Sequence, residues 1–342
     1  MHVFFLGYPG AMGGANTECW HTAKLWRRAG IDVTFVPTWG RDAYWQQRLA
    51  AIGCPTVVVG NADNLVGVPG LPGAVVVAMC NSHVMNARGV LKGLGCRLVW
   101  VNCMTFLFDN EIAAFRRHGP AEAYVFQSEF QRAELEKVLP GFGYSPAMGR
   151  VIRGALDFDE IGFCPRPHRR GEEFYIGKLA RPDLDKWSSN HWHVLDRVPY
   201  AARRALAMGW TLSLVHKCGV PPGWAETFAP QQLAAGDFLG RCHALVGLNG
   251  GARENWPRVG LEAMAAGVPL ICQDLWGWKE MIVDGETGFL ASNDEEMAYR
   301  LAQLAYDEPL RLRMLRAAWR HVEDLADPGR IGREWRELFE SL

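Results

Sequence analysis

Two glutamates, Glu254 and Glu262, stand eight positions apart in the stretch from residue 249 to residue 290. Pro257 lies between them and suits the first turn of a helix, where its missing N–H would find no partner. Residues 258–266 are good helix formers interrupted only by Gly260, and Gly267 with Pro269 supplies the stop. The next run, VPLIC, has the length and apolar character of a buried strand. One carboxylate is therefore expected just ahead of a helix N-terminus and the other inside the helix. Helix N-termini carry unpaired N–H groups and a partial positive charge, so the amides of Arg258, Val259 and Gly260 suit a phosphate. Carboxylates on either side of that phosphate would accept from hydroxyls, and a nucleoside diphosphate sugar carries hydroxyls at both ends. In isolation, the pair would read as surface carboxylates on an ordinary helix.

The surroundings of the pair carry a resemblance. The Glu254/Glu262 spacing, the run EAMAAGVPLI and the segment KEMIVDGETGFL together resemble, without a gap, the C-terminal signature of the GT4-type retaining glycosyltransferases, glycosyl transferases group 1. That resemblance implies the GT-B fold: α/β, with two Rossmann-like doubly wound domains facing across a cleft. It implies that Glu254 contacts the donor sugar's hydroxyls and Glu262 holds the ribose. The chain departs from the family after Glu254. A small, glycine-containing segment is usual there, whereas this chain has Asn255, Trp256 and Pro257, which would reshape the sugar pocket.

In the segment KLARPDLDK, Arg181 and Lys186 match the family's basic residue and lysine that neutralise the donor diphosphate, with Lys178 as the alternate. Negative charge builds on the phosphate oxygen as the sugar leaves, and a fixed donor there is worth about 3 kcal/mol.

At the other end, an apolar strand over His2–Leu6, the loop GYPGAMGGANTE, a helix over 19–28 and a strand over 32–37 open a doubly wound α/β domain. The glycines admit a nicotinamide or flavin loop, but they do not spell G-x-G-x-x-G, and Val36, Pro37 and Thr38 offer no acid for a ribose. The resemblance implies instead that Gly13 and Gly14 face the donor diphosphate, while Gly7 and Gly10 stay open to being a bare turn. Family members often carry a histidine near the reacting sugar after the strand expected at 97–101. Here Asn102, Cys103 and Met104 stand in its place, so these three, His83, Asp109 and the neighbouring Glu111 are the acceptor-side candidates.

Between these sites, strands are expected at 56–59, 74–79 and 124–127, then a helix capped by Ser128 with Gln131 three positions on. VIRGALDFDEIGF resembles the family's crossing to the second domain, and a proline-punctuated connector follows. A strand at 173–177, a largely helical stretch at 191–208, strands at 210–215 and 244–248, and helices at 295–306, 309–322 and 332–342 complete the pattern. The expected domains are residues 1–155 for the acceptor, 156–325 for the nucleotide sugar, and 326–342 as a terminal helix returning to the first.

Composition is that of a globular protein: of 342 residues, 49% are hydrophobic and 21% charged, with a formal charge of −1. That near-neutral balance lacks the basic footprint of a nucleic-acid binder. Nine cysteines, scattered without C-x-x-C pairs, read as reduced thiols in a cytoplasmic protein. No apolar run approaches the length of a bilayer span, and the N-terminus lacks a signal-peptide pattern. Lys24, Arg27 and Arg28 beside Trp20 and Trp26 read either as a solvated basic face or as a weak peripheral contact with the inner face of a membrane.

The resemblance thus implies a hexosyltransferase-like enzyme (EC 2.4) that moves a sugar, with retention, from a UDP- or GDP-linked donor to a hydroxyl of a glycan, lipid or small molecule. It implies no metal and no cofactor beyond the nucleotide sugar as co-substrate; the one D-x-D, Asp157 to Asp159, sits in the domain crossing. The alternatives are a catalytically altered GT-B protein that binds nucleotide or carbohydrate, and a nucleotide-sugar epimerase. A phosphorylase would need a pyridoxal lysine and a far longer chain.

Overall fold

A computed structural model describes residues 1–9 and 13–342. The chain divides into two compact units, Met1–Leu156 with Asp327–Leu342, and Asp157–Ala326.

The first unit is built on six strands: β1 (His2–Leu6), β2 (Asp32–Val36), β3 (Val75–Met79), β4 (Arg97–Val101), β5 (Ala123–Phe126) and β6 (Gly149–Val151). They lie in the order β2-β1-β3-β4-β5-β6, every pair parallel. A parallel sheet is covered on both faces, which is why VVVAM of β3 is buried at every position. Alternate residues serve opposite faces. Val3 and Phe5 join a core with Trp26 and the last helix, Pro328–Glu340, whereas Phe4 and Leu6 join one with Trp100, Phe115 and Tyr124. Trp26, on the helix Gly14–Arg28, packs edge-on against Trp335 and Phe339, with ring centroids 4.9 and 5.3 Å away.

The second unit has β7 (Phe174–Leu179), β8 (Arg203–Met208), β9 (Ala225–Phe228), β10 (Ala244–Gly247), β11 (Leu270–Gln273) and β12 (Gly288–Ala291). Their order is β12-β11-β10-β7-β8-β9, again all parallel. Each sheet therefore reverses its strand order once, between β1 and β3 in the first and between β7 and β10 in the second. The carboxyl ends of the strands at such a reversal are where open α/β sheets receive ligands.

Several local expectations change. Residues 210–215 are not a strand: Leu212–Cys218 is a helix that buries Leu214 and Cys218 one turn apart and leaves Leu212 86% exposed. Residues 191–208 are helical only over His191–Asp196, and RRALAM is β8, its helix formers overridden by pairing with β7 and β9. Gly209, at φ +94°, ends that strand where any Cβ would strike the Ala180 carbonyl. Of 56–59 only Thr56 pairs, as an isolated bridge to Phe35. Trp20 and Trp26 are buried, and Arg48 lies 4.3 Å above the Trp20 ring, so neither indole is available to anchor a membrane. Among the described residues no helix is long and apolar enough to cross one.

Candidate functional site

Residues from both strands at the second reversal meet. Lys178, in β7, is buried, and its Nζ donates to the Leu248 carbonyl and to Oδ1 of Asn249, both at 3.0 Å. Burial pulls its pKa down to about 8; Lys186 adds to the fall and Glu254 opposes it. Asn249, just past β10, donates from Nδ2 to Oε1 of Glu254 at 2.7 Å. The same oxygen accepts Lys186 Nζ at 2.8 Å. Lysine, amide, carboxylate and lysine thus form one continuous line inside the second unit.

Backbone bonds hold the two carrier loops together. The N–H groups of Gly250 and Ala252 both donate to the Asp185 carbonyl at 2.9 Å. Lys217 ties the same loops, donating to the carbonyls of Leu184 at 2.7 Å and Gly250 at 3.1 Å. On the far side, Gly277 donates its N–H to the Glu254 carbonyl at 2.9 Å and approaches the Asn255 carbonyl so closely that a Cβ would collide with it.

The helix Arg258–Ala266 follows at once, with Pro257 as its N-cap rather than its first helical residue. Gly260 interrupts the helix formers because Trp278 and Met281 leave no room for a side chain. Glu262 lies one turn in, 3.9 Å from the guanidinium of the buried Arg258. Asn255 and Trp256 are buried too, and Val259 is half-buried. Arg181 stands apart from this line. Its side chain is 46% exposed and pairs with Asp183 at 2.9 Å, while its carbonyl accepts Trp187 Nε1. The structure therefore joins Lys186 to Glu254 and does not join Arg181 to Lys186. Asn249 and Lys217 were missed by the sequence reading, and only the nearness of Asn249 to Glu254 in the chain could have signalled either.

In the first unit, Gly13, at φ +95°, caps the helix that starts at Gly14, and its carbonyl accepts the N–H groups of Asn16 and Thr17. Gly10 lies outside the described residues. Gly7, at φ +117°, sits so close to the Asn81 amide that a Cβ would be 2.7 Å from Nδ2. Past β3 and β4, Cys80 and Cys103 are joined in a disulfide, which corrects the expectation that all nine cysteines are reduced; the other seven are free. The pairing follows from the sheet, because adjacent parallel strands bring the two Cα atoms to 5.3 Å. Asn102 is engaged at both ends of its amide, donating to the Phe106 carbonyl at 2.9 Å and accepting the Met104 N–H at 2.7 Å. Gln131 Nε2 donates to the Asn102 and Met104 carbonyls, both at 2.7 Å.

His83 is exposed in a short turn, Ser82–Ala87, and Asp109 opens the helix Asp109–His118. Glu111 is corrected from acceptor-side candidate to structural residue. It is buried, accepts Trp100 Nε1 at 2.9 Å and the Phe108 N–H at 2.8 Å, and burial raises its pKa. Phe106 and Phe108, which the sequence reading did not single out, form an exposed edge-to-face pair 5.1 Å apart.

Known proteins match on two levels. Residues 236–321 match the family described as Glycosyl transferases group 1. The D-inositol 3-phosphate glycosyltransferase of Streptomyces avermitilis is 40% identical over 72 residues, which are 20% of this chain and 16% of that protein. The match thus spans less than a fifth of that relative's length. Whole-chain likeness lies in the fold. HepE of Anabaena, crystallised with UDP-glucose, superposes with a TM-score of 0.78 at 16% identity over 100% of both chains. Sucrose-phosphate synthase of Thermosynechococcus elongatus gives 0.72 at 13% over 100% of both. TarM of S. aureus gives 0.77 at 10%, over 99% of this chain and 98% of that one. The chain has the two-unit α/β architecture called GT-B, and its second unit carries the sequence pattern of the group 1 glycosyl transferases.

Proposed function

We propose that this protein is a retaining glycosyltransferase that moves a sugar from a nucleoside diphosphate sugar to a hydroxyl of a glycan, lipid or small molecule. The observation that carries the reading is the Lys186–Glu254 ion pair, set at the strand-order reversal of the second unit and directly ahead of the helix bearing Glu262. In this reading Glu254 orients the donor sugar, Glu262 takes the ribose, and the amides at the start of the helix Arg258–Ala266 receive phosphate. Lys186 balances the charge that develops on the leaving diphosphate. Arg181 would have to leave Asp183 to join it. UDP is the favoured nucleotide, since HepE was crystallised with UDP-glucose and a TarM variant with UDP.

The test is incubation with radiolabelled UDP- and GDP-sugars and an acceptor panel, following release of nucleoside diphosphate. Release with one donor supports the reading, and no release with any pairing sinks it. A second reading, a GT-B protein that binds nucleotide sugar without transferring it, is favoured by one observation: Asn102, where the family often has a histidine, is locked into its own loop. Donor binding without release would select that reading.

A further inference from the structure

We infer that Asn249 is a positioning residue for the sugar end of the donor site: its amide, oriented by the buried Lys178, fixes the Glu254 carboxylate so that one oxygen is left for the sugar. The inference rests on the reading of Glu254 as the group that meets the donor sugar. Three features of the geometry carry it.

An ammonium has donors only, so Lys178 fixes which end of the Asn249 side chain faces it: Oδ1 accepts, and Nδ2 turns toward Glu254. The Ala252 carbonyl, 3.4 Å from Nδ2, supports the same orientation, and without the cation Oδ1 would lose its donor. Lys178 itself cannot wander, because the Leu248 carbonyl holds Nζ from the strand side at the same 3.0 Å. Next, both donors to Glu254, Asn249 Nδ2 and Lys186 Nζ, converge on Oε1. Among the described residues Oε2 accepts no hydrogen bond, so it is the oxygen free to take a hydroxyl. Finally, Asn249 is pinned at its own backbone, its N–H donating to Oε1 of Gln273 at 3.0 Å. Gln273 ends β11, so the amide is referenced to three adjacent strands, β7, β10 and β11. Lys178 thus acts through Asn249 and touches no substrate.

The substitution Asn249→Asp tests this with almost no change of shape. A carboxylate replaces the amide, keeps its partner in Lys178, and sets a like charge where Glu254 had a donor. With UDP-glucose as the probe donor, or GDP-mannose if the wild type prefers it, kcat is expected to fall at least tenfold. Affinity for the free nucleoside diphosphate, measured by calorimetry, should stay within about threefold, because the ribose and phosphate groups do not depend on Asn249. The acid limb of the pH–kcat profile should move to higher pH, as two neighbouring carboxylates titrate together.

Asn249→Ser, too short to reach either partner, should show the same loss of kcat without the shift of the acid limb, and it provides the reading if Asn249→Asp does not fold. Unchanged kcat in both variants overturns the proposal. So does a loss of nucleoside diphosphate affinity in proportion to kcat, which would mark Asn249 as merely structural. A wild type that binds none of these nucleotides overturns the donor-site reading itself, and this inference with it.

Discussion

Glu254 receives both of its side-chain donors on one oxygen, so removing either leaves a carboxylate that is 13% exposed and half-compensated. Lys186→Ala is expected to lower kcat about a hundredfold, the size of one well-placed cation at a developing charge, with a smaller change in donor KM. Arg181→Ala should cost less than about tenfold, since that guanidinium rests on Asp183 at the surface. An equal loss in both variants, read by steady-state kinetics, would show that Arg181 swings onto the bound donor. Glu262→Gln should raise donor KM about tenfold with kcat nearly kept, as for a group that binds ground and transition state alike.

Lys178 makes a prediction with a definite sign. Its folded pKa of about 8 lies below the ordinary lysine value of 10.5, so between those values the unfolded chain holds a proton that the folded chain has released. Stability should therefore rise with pH across that window, by about 1.4 kcal/mol per unit. The groups that act on Lys178 are Glu254, Lys186, Cys272 and Cys218; Lys178 in turn bears on the buried His191, which burial holds uncharged by pulling its pKa down to about 3. Urea unfolding of wild type and Lys178→Met near pH 7.5 and again near pH 10 isolates the effect, the wild type gaining on the variant at the higher pH. Glu254 and Glu262 were legible because their signature is continuous in sequence. Asn249 was not, because its meaning comes from Lys178, 71 positions away.

Elements show the same division. β1, β3, β4 and β10 could be read from apolar runs because strands of a parallel sheet are buried on both faces. The region 203–218 could not. RRALAM has helical propensity yet pairs on both sides, and LSLVHKC looks strand-like yet hides only Leu214 and Cys218. Tertiary pairing decided both. The turn ending at Gly277 illustrates how one element constrains another. Gly277→Ala should push against the Asn255 carbonyl and displace Glu254, lowering kcat while leaving the fold's circular dichroism unchanged. Normal activity in that variant would show that the segment tolerates the shift. The disulfide at the ends of β3 and β4 gives a simpler check: titration of the denatured, unreduced protein should find seven thiols, and nine after reduction.

Across the whole molecule, GT-B architecture was legible because two glycine-punctuated, strand-rich halves and the C-terminal signature agree with one another; the disulfide was not, since its cysteines are 23 residues apart and match no spacing motif. Acid should act first on the second unit. Burial pulls His191 and His243 down to about 3, below the ordinary histidine value of 6.5, so as pH falls through that interval the unfolded chain takes protons that the folded unit refuses. Each costs about 1.4 kcal/mol per pH unit. Hydrogen-exchange protection near pH 4 should accordingly weaken in β7 to β12 before β1 to β6. A further consequence concerns biosynthesis. The first unit is discontinuous, and Ile331, Trp335, Leu338 and Phe339 complete its core. While the chain is being made, the second unit has all its residues before the first does. The nascent first unit therefore waits, with Trp26 uncovered, until residues 327–342 appear, and a released chain truncated after Ala326 should show a protease-resistant second unit beside a labile first one.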